Sequence, residues 1–142
     1  MLFRSGGTAI EELQALDKDL GAKLREAQTK AFLVAVCGFE DAITRVEEAA
    51  LSLQFPLEIH CVDTLTDSDK AFSESSSLFA APSDRVLAKQ LATDFGEKLE
   101  RKWPLGFGNC EALVTFFSNC PNNTLPIIYK SDTNWTALFQ RK

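Results

Sequence analysis

The chain has 142 residues, 45% of them hydrophobic and 25% charged, which is the make-up of an ordinary globular domain rather than a disordered one. Its net charge of −5 excludes a nucleic-acid backbone as the main partner, because counterion release needs a basic surface. It suits solubility, or a basic partner protein. No apolar run approaches the roughly 18 residues of a membrane span, and Met1 to Gly7 is too short and polar for a signal peptide, so a cytoplasmic chain is expected. Arg4 and Ser5 leave an organellar address open.

Residues 1–7 are expected to be a flexible N-terminus. Thr8-Ala9-Ile10-Glu11 has the capping-box pattern, and Ile10, Leu13, Leu20, Leu24 and Ala27 then form an apolar stripe on a helix reaching about Thr29. Lys30 to Leu65 reads as one β-α-β unit. It opens with the unbroken apolar run Ala31-Phe32-Leu33-Val34-Ala35-Val36, the pattern of a strand covered on both faces. Cys37-Gly38 punctuates it, and Phe39 to Gln54 places Phe39, Ala42, Ile43, Val46, Ala50 and Leu53 on one helix face. After Pro56, Leu57, Ile59 and Cys61 alternate with Glu58 and His60, as in a strand nearer a sheet edge.

Residues 63–83 are acidic and Ser-rich and predict a long loop, in which Asp63, Asp67 and Asp69 cap turns rather than hold a cation. A further helix starts near Ser83 and carries Leu87, Leu91, Phe95 and Leu99 up to Trp103, where Pro104, Gly106 and Gly108 end it. Ala112 to Phe117 fits a strand or a helix. Leu125 to Lys130 reads as a strand with Pro126 at its beginning, and Thr133 to Phe139 as a return strand or a short terminal helix. The whole predicts a single α/β domain over residues 1–142. Its small mixed sheet has the first two strands parallel and is covered by helices.

Cys37 is the strongest candidate for chemistry, since a thiol between a strand and a helix start meets the positive helix end. Cys37-Gly38-Phe39, with Asp63-Thr64-Leu65 after the next strand, resembles the Cys-Gly-Phe-Ser motif of monothiol glutaredoxins, with Glu40 in place of the Ser. That resemblance implies a thioredoxin-like topology, a redox-active Cys37 and a cis proline at Pro126. The lone histidine, His60, and Asp63 would complete a thiol site if they gather at the same strand ends. The four cysteines have no zinc-ligand spacing, and no metal or cofactor is expected. Gly106-Phe107-Gly108 is a turn. Asn122-Asn123-Thr124 and Asn134-Trp135-Thr136 are chance glycosylation triplets.

Aromatic residues concentrate in the last forty positions, and Trp103, Phe107 and Trp135 are the candidate partner-binding anchors, with Glu97, Glu100 and Glu111 as an acidic rim. Three functions follow. The first is a non-catalytic interaction module: an assembly subunit, a chaperone-like partner, or an acidic inhibitor of a basic protein. The second is a thiol-dependent enzyme or redox protein using Cys37. The third is a small-molecule-binding domain whose pocket lies at the strand ends around Gly38 and Asp63.

Overall fold

A computed structural model describes residues 2–3, 6–117 and 119–139. Arg4 and Ser5, the residues bearing on an organellar address, lie outside them. The chain forms two compact units, Met1–Leu65 and Thr66–Lys142.

The first unit is a doubled β-α-β: β1 (Leu2–Phe3), α1 (Gly7–Glu26), β2 (Ala31–Phe39), α2 (Glu40–Ala50) and β3 (Leu57–Leu65). The three strands lie in the order β1-β2-β3, all parallel, so this is an α/β architecture. The register sets Ala31 beside Leu57, Val34 beside His60 and Cys37 beside Asp63, while Leu2 and Phe3 pair with Cys37 and Gly38 at the far end of β2. Part of the stretch expected to be flexible is therefore a strand. Two residues carry too little periodicity to announce one, and it exists because β2 supplies its hydrogen bonds.

Successive crossovers in one direction put both helices on the same face of the sheet, where α1 packs on α2. Ala35 and Cys37 of β2 and Ala42 and Val46 of α2 are buried there. The opposite face has no helix from this unit. Phe32 and Val34 are 57% and 62% exposed, so an all-apolar strand is here covered on one side only. The helix α1 begins one residue before the expected cap. Gly6, not Thr8, is its N-cap, and Thr8 stands inside the first turn.

The second unit holds α3 (Pro82–Leu99), a short α4 (Pro126–Tyr129) and much irregular chain. Helix α3 starts where expected, with Pro82 at its first position. The side it buries is not the large apolar stripe. Ala92 and Gly96 face the core while Leu87 and Leu91 are exposed. Small residues allow close approach: a Cβ on Gly96 would overlap the Pro104 backbone. Ala71, Phe72, Leu105 and Leu125 complete this core, with Ala88, Ile127 and Ile128 against it.

Leu125 to Lys130 is not a strand. Pro126 starts a helical turn, which its fixed φ favours, and the turn closes through the Lys130 amide to the Pro126 carbonyl. No cis peptide occurs among the described residues, at Pro126 or elsewhere. Ala112 to Phe117 contributes isolated bridges, Lys70–Ala112, Ala112–Thr124 and Phe116–Asn119, instead of a strand or helix. Thr133 to Phe139 is neither return strand nor helix; it is pinned by the Phe139 amide to the Ile128 carbonyl and the Trp135 indole to the Ile127 carbonyl. No described helix is long and apolar enough to cross a membrane.

Candidate functional site

The carboxyl ends of the three parallel strands gather Phe3, Gly38-Phe39 and Asp63-Thr64 on one edge of the first unit. Ligands of open α/β sheets sit outside the carboxyl ends of the strands, the end at which the helix N-termini also lie. The two helix starts differ. Glu40 and Asp41 stand in the first turn of α2, where carboxylates favour its positive end. The first turn of α1 contains no acidic residue, and Gly6 has no side chain to cap it.

Gly6 is the N-cap of α1. Its φ of 70° lies in the left-handed region, and a Cβ there would stand 2.6 Å from Val46 Cγ2 and 2.9 Å from the Ala42 carbonyl oxygen. Only glycine fits between the turn and α2. Gly6-Gly7-Thr8 thus forms a glycine-built start to α1, and Thr8 is exposed. Two adjacent glycines before a helical stripe were the available signal. No strand is legible in the sequence ahead of them.

The predicted thiol site is brought together only in part. Cys37 and Asp63 are register partners on the helix-covered face, and Cys61 lies beside them. Cys37 is 4% exposed, and burial, then the neighbouring Cys61 and Asp63, pushes its thiol up from the usual value. His60 pairs with Val34, one residue out of phase with Cys37, so its ring is on the opposite face. There it stacks on Phe32 with centroids 6.0 Å apart and approaches the Glu58 carboxylate at 3.8 Å. A Cys37–His60 pair does not form.

The aromatic candidates belong to the second unit. Trp103 meets Phe107 with ring centroids 5.6 Å apart. Trp135 packs on Phe95 at 5.0 Å, and its indole N–H donates to the Ile127 carbonyl at 2.8 Å. Phe107 is exposed, whereas Trp103 and Trp135 are half-buried. Of the acidic rim, Glu100 accepts from Lys130 at 2.6 Å and Glu111 pairs with Lys89 at 2.6 Å, so both are already matched within the unit.

The loop aspartates also have partners. Asp69 accepts from the Thr66 amide at 2.7 Å, and Asp67 takes Lys70 at 2.9 Å together with the Ser73 hydroxyl. Those bonds hold the Asp67 carboxyl down at about 2. Among the described residues no three His, Cys, Asp or Glu side chains converge as metal ligands.

A knot of buried polar groups in the second unit was not foreseen. Thr124 is fully buried and its hydroxyl donates to the Val114 carbonyl, Asn123 is nearly buried, and the Asn122 carbonyl accepts from the Phe107 amide at 2.8 Å. Asn122-Asn123-Thr124 forms a closure that locks irregular chain. Polar residues bracketed by Pro121 and Pro126 were the signal.

Fold and edge together define a parallel α/β domain whose first helix starts on Gly6-Gly7. The chain belongs to the PRTase-CE family, whose model matches residues 2–141. No curated protein and no solved structure matches it.

Proposed function

We propose that the first unit is a recognition domain for a phosphorylated ribose ligand, held at the carboxyl edge of the sheet with its phosphate on the Gly6-Gly7-Thr8 turn. The family's description as phosphoribosyltransferase-like effectors of conflict systems supports that ligand class. The observation that carries the reading is the asymmetry of the two helix starts. The first turn of α2 has its own carboxylates, whereas that of α1 has neither an acidic residue nor a capping side chain. A dianionic phosphate is the natural complement to such a turn, accepting backbone amides and meeting the positive end of a 20-residue helix.

Calorimetric titration with ribose 5-phosphate, ribose and inorganic phosphate tests this reading. Ribose 5-phosphate should bind, phosphate more weakly, and ribose not detectably. Thr8→Glu places a carboxylate in the first turn of α1, where it stabilises the helix but repels a phosphate, and should weaken binding by about tenfold or more. Unchanged affinity in that variant would overturn the assignment.

A second reading, a protein-interaction module, is favoured by the bare sheet face carrying Phe32, Val34, Val36 and Val62, because apolar surface of that kind is usually covered. Phe32→Ser and Val34→Ser would abolish partner capture under that reading and leave ribose 5-phosphate binding intact.

A further inference from the structure

Helix α3 carries two apolar lines. The small one, Ala88, Ala92 and Gly96, turns toward the core of the second unit. The large one faces outward: Leu87 is 60% exposed, Leu91 48% and Phe95 36%. Asp84 and Lys98 close that outer line at its two ends, and both are exposed. At about 100° per residue these five side chains fall within an arc of about 80°, narrow enough to meet one partner helix.

Their spacing is a palindrome about Leu91. Four residues lead back to Leu87 and three more to Asp84; four lead on to Phe95 and three more to Lys98. The chemistry mirrors as well, with apolar residues at the inner positions and opposite charges at the outer ones. Neither charge is matched within the chain: among the described residues Asp84 and Lys98 belong to no ion pair. The Lys98 ammonium stands 4.7 Å from the centroid of the Phe95 ring, at the end of the line.

We infer that this outer line is a self-association seam, on which a second copy of the chain lays its own α3 antiparallel about a two-fold axis through Leu91. Leu91 then meets Leu91, Leu87 stands level with Phe95 of the second copy, and Asp84 stands level with its Lys98. Symmetry forms each of those pairs twice, and the opposed helix dipoles act in the same direction. Other arrangements lose the match. A parallel pair sets Asp84 against Asp84 and Lys98 against Lys98. Moving the axis to Lys89 sets Asp84 against Asp94, and moving it to Thr93 carries Asp84 past the end of the partner helix. Gln90 and Asp94 border the seam, where the Gln90 amide donates to the Asp94 carboxylate at 2.8 Å. The seam lies within the second unit and goes beyond the ligand proposed for the first.

Sedimentation velocity on the full chain at about 5 and 500 µM tests the seam, with the higher concentration expected to show the dimer. Lys98→Glu and Asp84→Lys each set like charges level twice, and each alone should raise the dimer Kd by about tenfold. Mixed in equal amounts, the two variants should pair with each other, because every level contact is again between opposite signs. Leu91→Cys in a Cys61→Ser background should cross-link copies through position 91 on mild oxidation, since the axis brings the two helices closest there. Val86→Cys, exposed but off the outer line, should not. A monomer at both concentrations, a dimer indifferent to Lys98→Glu, or equal cross-linking at positions 86 and 91 would each overturn the proposal.

Discussion

From Leu2 to Leu65 the chain alternates regular strands with regular helices, and its core is a single layer of side chains between sheet and helices, Ala35, Cys37, Ala42 and Val46. From Thr66 onward one long helix is accompanied by loops whose amides and carbonyls are satisfied by turns, isolated bridges and side chains. The first unit gains stability from repetition, because each residue added to β2 or β3 adds ladder bonds and burial together. The second depends on individual polar contacts, so the loss of one has no neighbouring repeat to absorb it. The comparison can be broken or sharpened by substitution.

The largest effect is expected at the start of α1. Gly6→Val forces a β-branched residue into the left-handed region and into the Ala42 carbonyl, and should cost upward of about 3 kcal/mol in urea unfolding. Gly6→Ala should cost less but still destabilise. Full stability of the valine variant would mean the start of α1 is not built as described.

Next comes the polar knot. Thr124→Val keeps the volume but leaves the Val114 carbonyl without its hydroxyl donor, for a loss of about 1–3 kcal/mol. Hydrogen exchange should show the opening confined to the chain around Val114 and Thr124. A global loss, with β2 and β3 opening equally, would erase the contrast between the units.

The thiol gives a rate readout. Burial raises the Cys37 pKa, so alkylation in the native protein should be slow across neutral pH and accelerate on unfolding. Rapid labelling with a depressed apparent pKa would revive the redox reading.

Smaller effects belong to the ion pairs. The Lys130 ammonium, donating to Glu100, holds that carboxyl below its ordinary 4.5. A carboxyl with a lowered folded pKa adds stability that is fully present above the unfolded value and is lost as pH falls through the folded one. Both side chains are about a third exposed, which limits the contribution to below ~1 kcal/mol. Lys130→Met should remove that acid dependence. The Asp67 carboxyl, held at about 2, should likewise keep the Lys70–Ser75 loop ordered until pH falls below about 4 and release it toward 2. Amide exchange of Ser75 against pH reads this directly.

The β-α-β core was legible because its signals are local: an apolar run, Cys37-Gly38, a 3.6-residue stripe and then an alternating strand. Asp63 and Gly38 at the strand ends could be placed for the same reason. The glycine turn could not, since Gly6 has meaning only once a two-residue strand is known to precede it. His60 could not be assigned a side until its register with Val34 placed it out of phase with Cys37. After Trp103 apolar and polar residues follow no period, and Pro126 fits a strand start and a helix start equally well.

What the sequence determined by itself was the α/β class, the parallel pair and the start of α3, because periodicity and backbone stereochemistry act within a few residues. Tertiary structure alone decided three things: which face of α3 is buried, which face of the sheet is bare, and where Leu125 to Phe139 runs. Each turns on how closely distant segments approach: Gly96 against Pro104, α1 against α2 on one side, and Thr124 against Val114. No local pattern encodes those distances.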